Sequence, residues 1–303
     1  MTSAISRTLF ALALSVGTAH TLAAAPLTDP KDATKKVEAP AAADASADAA
    51  APATATQTDD PDKDVNRAQP DFTLIGLPTT LRLPKHQSAF RITHRFGRPL
   101  GQGDFSDLVQ DFFGFDSGAV IGFEYRFGLF KATQLAIHRT NDRTIQFMLQ
   151  REVKAQSSTF PVSIDVVGSA EGTNNFKDSY SPGLGVVLSR EINDRAAIYA
   201  EPFWVNNTNT LPKELVDDNN AIMVGLGARI RLANTVYGVF EITPRVNGFE
   251  PGDHQMGVAI EKRAGGHSFQ INFGNAFGTT FAQMARGGTS DWYMGFNISR
   301  KFY

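Results

Sequence analysis

The chain has 303 residues, 42% of them hydrophobic, with 29 basic residues against 31 acidic ones and no cysteine. A net charge of -2 offers no basic stripe to a nucleic acid, and a mean hydropathy of -0.20 is too polar for a bundle of membrane-spanning helices. Without a thiol there is neither a disulfide staple nor a lipid-anchoring cysteine.

Residues 1–25 carry one basic residue, Arg7, then an apolar run through Leu9, Phe10, Leu12, Leu14 and Val16, then small residues around Ala23. This is the pattern of a secretory signal peptide cut near Ala23, with an apolar core too short to span a bilayer. Residues 26–70 change character, being dominated by Ala, Pro, Thr, Asp and Lys. They cannot bury enough apolar surface to fold and are expected to form a disordered linker, a spacer that could also reach a periplasmic partner. The next stretch, 71–87, holds Phe72, Leu74, Ile75, Leu77, Pro78 and Pro84 and reads as an ordered lead-in lying at the periplasmic end of a barrel that begins at Ser88.

From Ser88 onward, segments of period two succeed one another. In the first, Phe90 and Ile92 oppose Arg91, Thr93 and Arg95; in the second, Ile121, Phe123, Tyr125 and Phe127 oppose Glu124 and Arg126. Further strands are centred on Leu135, Phe147, Ile164, Val186 and Ile198. The clearest is 221–232, where Ile222, Val224, Leu226, Ala228, Ile230 and Leu232 alternate with Met223, Gly225, Gly227, Arg229 and Arg231. Strands at 236–243, 256–263, 268–273 and 292–303 complete the set. One face of each suits hydrocarbon and the other water, over lengths that cross a bilayer as tilted strands. The expected fold is all-β: a closed antiparallel transmembrane β-barrel of about twelve strands, preceded by the signal peptide and linker.

Connection lengths agree with this reading. Links after even-numbered strands are short, as at Asn193-Asp194, Ala233-Asn234 and Gly265-Gly266, while most links after odd ones are long. Short periplasmic turns alternating with long outer loops is the outer-membrane plan, and it sets both barrel ends in the periplasm. One link departs, since the outer connection at Thr140-Asn141-Asp142 is short, which leaves a miscounted strand pair open.

The run Leu83-Pro84-Lys85 followed by Phe90-Arg91-Ile92-Thr93-His94-Arg95-Phe96-Gly97 resembles the opening of a family of bacterial barrel proteins classed as a domain of unknown function. The resemblance covers about residues 72–303. It implies an outer-membrane-type barrel in a Gram-negative envelope and brings no established activity or functional residues. The end, Arg300-Lys301-Phe302-Tyr303, resembles the signal read by the barrel-assembly machinery, except that Phe302, not Tyr303, falls on the outward face.

The inward positions form the candidate site, a lumen of Arg91, Arg95, Arg126, Arg229, Arg231 and Arg263 with Glu124, Glu152, Asp165, Glu191, Glu201, Glu241 and Glu261. On the lipid face each such charge would cost several kcal/mol near the midplane, on the order of 2–4 for Arg or Lys. Two arrangements satisfy them: an ion-pair network filling a closed barrel, or a polar pore with a mixed-charge constriction that passes small solutes. The width of twelve strands favours passive passage; a non-conducting scaffold acting through its loops or its linker is the alternative.

Between the first two strands Phe105, Leu108, Val109 and Phe112 recur at helical spacing behind Asp104, predicting a short amphipathic helix capped by that aspartate. It could close over the lumen or lie in the membrane interface, and its phenylalanines favour the interface. Catalysis is not expected, because His86, His94, His138, His254 and His267 are scattered and no spacing forces a Ser or Asp partner. No metal-ligand pair or phosphate loop stands out, so no cofactor is expected.

Overall fold

The computed structural model describes residues 66–115, 117–209, 219–248 and 253–302. The signal peptide, residues 26–65 of the expected linker and the terminal Tyr303 lie outside the described residues.

The strands are β1 (Ser88–Phe96), β2 (Ala119–Phe130), β3 (Thr133–Thr140), β4 (Ile145–Lys154), β5 (Ser163–Gly172), β6 (Asp178–Ile192), β7 (Ala196–Asn206), β8 (Asn220–Ala233), β9 (Val236–Thr243), β10 (Arg245–Asn247), β11 (Gln255–Ala264), β12 (His267–Gly274) and β13 (Tyr293–Phe302). Each pairs antiparallel with its neighbours, and β13 closes the ring on β1 with Ile298 opposite Ile92. Segments β9 and β10 are one stave broken at Pro244, which has no N–H for the ladder and whose carbonyl accepts from Val224 N at 2.9 Å. The thirteen segments therefore make a closed barrel of twelve staves, leaving no edge for lipid to face.

The alternation read from the sequence is the alternation of the wall. On β8 Leu226 is 41% and Ile230 52% exposed, whereas Arg229 between them is fully buried. The outward side chains form the belt that suits hydrocarbon, including Tyr125, Phe147, Trp204, Phe240 and Phe269. Turn chemistry is plain at the short-turn end: Gly265 and Gly266 both take positive φ, 52° and 72°, as the two-residue hairpin turn joining β11 to β12 requires.

The short outer link is real. Thr140 N donates to Thr144 O at 2.9 Å and Asp142 Oδ1 accepts from Thr144 N at 3.0 Å, so β3 and β4 are joined by a tight turn and the strand count stands. In the long loop after β1, Asp104 caps a helix at Phe105–Gln110 in a reciprocal box with Asp107. Its Phe105 and the following Phe112 are 74% and 67% exposed, so the segment is not folded into the bore.

Two expectations are corrected. Asn66 to Pro70, counted with the expected linker, belong to the described structure, and Ala68 and Gln69 among them are buried. The lead-in does not lie at the barrel end; it runs inside. The apolar residues Phe72, Leu74, Ile75 and Leu77 are all buried within the wall. An apolar cluster of that size finds its dry surroundings only in the bore once the outer face is given to lipid.

Candidate functional site: the filled lumen

Residues 66–84 form a hairpin that enters and leaves at the short-turn end. One limb starts beside the β6–β7 turn, where Asn66 Nδ2 donates to Glu191 at 2.7 Å and Arg67 faces Asp194. The other limb ends beside the β2–β3 turn, with His86 N donating to Gly128 O at 2.8 Å. The limbs are held together by Thr79 N to Phe72 O and by Leu74 N to Leu77 O, both 2.8 Å, with Thr73 bridged to Pro78.

The tip is held by one carboxylate. Three consecutive amides, Ile75, Gly76 and Leu77, donate to Glu241 Oε2 at 3.0, 2.8 and 2.9 Å. Such a nest of N–H groups binds an anion, and here the wall supplies it. The tip side chains lie against wall positions that lack side chains. A Cβ on Gly257 would lie 3.0 Å from Ile75 Cδ1, and Leu74 closes against Gly227 in the same way.

The carbonyls are taken up by wall donors. Arg229 Nη2 donates to Thr73 O at 2.6 Å and Nη1 to Asp71 O at 3.3 Å. Gln270 donates to Leu74 O and Asn297 to Ile75 O, both at 3.0 Å, while Arg95 reaches Ile75 O at 3.4 Å. On the return limb Gln150 donates to Thr79 O at 2.7 Å and Gln134 to Leu81 O at 3.1 Å. Two cations stand over the ring of Phe72, Arg126 and Lys301 at 5.3 and 5.2 Å from its centre.

The structure brings most of the inward residues into this one assembly. Arg91 joins Glu124 at 3.0 Å and Thr73 Oγ1 at 2.6 Å. Arg126 joins the same Glu124 at 2.9 Å, and Arg229 joins Glu261 at 2.9 Å. Asp165 accepts from Gln150 at 2.7 Å, and Glu152 pairs with Arg82 of the hairpin. Arg231 is apart, pairing with Asp194 at the short-turn end at 2.8 Å. Glu201 is completely buried, and neither carboxylate oxygen has a hydrogen-bond partner among the described residues. His138 is buried 3.7 Å from Glu124, whereas His94 faces outward, stacked on Phe296 with centroids 4.8 Å apart.

A second element, not foreseen from the sequence, reaches the hairpin from the opposite end. The long link between β12 and β13 carries a short helix, Phe281–Ala285, capped by Thr280 in a box with Gln283. Phe281, Ala282, Met284 and Ala285 are buried, with Phe281 against Phe203 at 4.4 Å between centroids. Its first amides donate to Gln146 and Glu171 at 2.7 and 3.3 Å. A Cβ on Gly76 would meet Met284 Sδ at 3.1 Å, so the hairpin tip and this helix touch in the bore. The Thr-x-x-Gln sequence at 280–283 was the available signal for it.

A ring of staves with an apolar outer face and an occupied polar bore defines a membrane-spanning barrel with an internal plug. The chain belongs to the family of membrane-bound beta barrel domains of unknown function (DUF5777), whose profile matches residues 71–302. No curated protein matches it. Among solved structures it is similar to the NanC porin, at 9% identity over 71% of this chain and 100% of that one, with a TM-score of 0.47. It is similar to the KdgM porin in complex with disordered oligogalacturonate at 7% identity, over 72% and 99% of the two chains, TM-score 0.47. The Acinetobacter baumannii outer membrane protein Omp33 matches at 10% identity over 72% and 99%, TM-score 0.42.

Proposed function

We propose that this barrel resides in a Gram-negative outer membrane and acts as a passive, non-enzymatic channel for small polar solutes, held shut by its own hairpin at residues 66–84. The observation that carries this reading is how the hairpin is attached. Its contacts inside the bore are all non-covalent, the chain joining the wall only where residues 85–87 lead into β1 at Ser88, and both limbs leave through the short-turn end. It can therefore withdraw toward the periplasm without breaking any stave pairing. The vacated bore would be lined by the mixed set of Arg, Glu, Gln and Asn that now holds the hairpin, a lining suited to hydrated polar solutes, with the helix Phe281–Ala285 narrowing its other end. Outer-membrane lipid around the wall, assembly through the C-terminal aromatic end, and a periplasmic partner for residues 26–70 belong to the same reading.

The filled bore equally favours a non-conducting scaffold acting through its loops or its linker, and the two readings part in planar bilayers. A self-plugged channel shows mostly closed full-length protein with brief ohmic openings that become more frequent when the hairpin tip is weakened by Leu74→Asp with Leu77→Asp. Silence in both proteins, each refolded and heat-modifiable on gels, transfers the function to the scaffold. Recovery of the protein in the soluble periplasmic fraction overturns the location.

A further inference from the structure

The geometry points to a peptide-binding lumen: we infer that the bore, once the hairpin withdraws, takes short turn-forming peptides as its solutes. This deepens the channel reading above and rests on it.

The inference comes from which atoms the wall grips. Between Asp71 and Leu83, Arg229, Gln270, Asn297, Gln150 and Gln134 donate to main-chain carbonyls. Glu241 accepts from three consecutive main-chain amides, and Gln134 Oε1 accepts from a fourth, that of Leu83, at 3.1 Å. Carbonyls and amides recur in every peptide whatever its sequence. A wall that presents amide side chains and a guanidinium at carbonyl positions, with a carboxylate at the turn, is complementary to peptide backbone as a class. Groups that satisfy buried backbone polar atoms discriminate strongly against ligands that lack them, since they would otherwise be left unpaired.

Side-chain selectivity is coarse by the same geometry. Leu74, Ile75 and Leu77 rest on Gly227, Gly257 and Gly225, where the missing Cβ atoms leave room for an aliphatic side chain. The peptides accommodated are therefore those with aliphatic side chains on a backbone that can turn as residues 74–77 do.

The test uses the full chain carrying Leu74→Asp with Leu77→Asp, with Ile75→Asp as a second way of expelling the hairpin should the first fail to refold; every wall residue is unchanged in both. Two probes of similar mass are applied during single-channel recording: an aliphatic hexapeptide and a maltotetraose-sized neutral oligosaccharide. The same probes, fluorescently labelled, are titrated by anisotropy in detergent, so binding is read independently of current. Peptide residence or affinity at least tenfold above the oligosaccharide's is expected, with that preference lost on N-methylation of the peptide amides and reduced by Gln270→Leu with Asn297→Leu. Equal affinity for both probes in a conducting variant overturns peptide recognition and leaves the channel reading intact. Peptide binding without conductance overturns the channel reading, and peptide as a transported solute falls with it.

Discussion

Leu77 packs against Gly225 so closely that a Cβ on the glycine would lie 2.7 Å from both leucine methyl carbons. The contact couples a wall stave to the tip of the hairpin, so the size of one side chain on β8 sets how well the bore is filled. Gly225→Leu is expected to push the tip out. Overpacking of this kind costs about 1–3 kcal/mol, which converts to roughly a 5- to 150-fold rise in the open-to-closed ratio. Single-channel open probability of the refolded variant measures it, and an unchanged value would show that the hairpin does not control the bore.

Glu241 holds the tip through three amides on one oxygen. Glu241→Gln keeps an oxygen in place and is expected to hold the hairpin with modest loss. Glu241→Ala strands three buried donors, at about 1–3 kcal/mol for each left unsatisfied, and is expected to release it. Trypsin cleavage at Arg82, whose guanidinium is paired with Glu152 inside the barrel in the closed state, reports release. The prediction fails if the two variants are cut at the same rate.

Leu226 is 41% exposed on the lipid-facing side of β8, and its neighbour Gly227 faces the hairpin at Leu74. Leu226→Arg is expected to cost about 2–4 kcal/mol near the midplane and to impair insertion. Gly227→Arg avoids that penalty and disturbs the plug instead. Folding yield into lipid vesicles, compared with trypsin sensitivity of the hairpin, separates the two effects. Equal losses of insertion would reverse the facing assignment.

Glu201 is fully buried with no hydrogen-bond partner on either oxygen among the described residues. Burying an unpaired polar group opposes folding, so Glu201→Met, of similar length and apolar, is expected to stabilise the closed barrel by about 1–3 kcal/mol. The urea midpoint of the refolded protein should rise. A fall would mean that the carboxylate has a bonding role in the closed state.

The staves were legible in the sequence because each one meets two solvents. Alternation at 221–232 reports hydrocarbon on one side of Leu226 and a polar interior on the other, and the wall follows it residue by residue. The strand limits of 88–96 and 236–243 coincide with those read from period and turn signals for the same reason. The cap at Asp104 was equally local, since a reciprocal box with Asp107 needs only four residues.

The filling of the bore was decided by tertiary structure. Residues 66–84 have neither a strand period nor a helical one, and their run of Phe72, Leu74, Ile75 and Leu77 announces a need for burial without saying where. Only closure of β13 on β1 creates an enclosed surface, and only there do Gly225, Gly227 and Gly257, on separate positions of β8 and β11, become seats for Leu77, Leu74 and Ile75. The same applies to the inward charges. The sequence determined that Arg229 and Glu241 avoid lipid, because hydrocarbon cannot solvate them; that they grip the backbone of residues some 160 positions earlier (|i−j| of 158 and 166) depended on the three-dimensional meeting of segments with no local signal for one another.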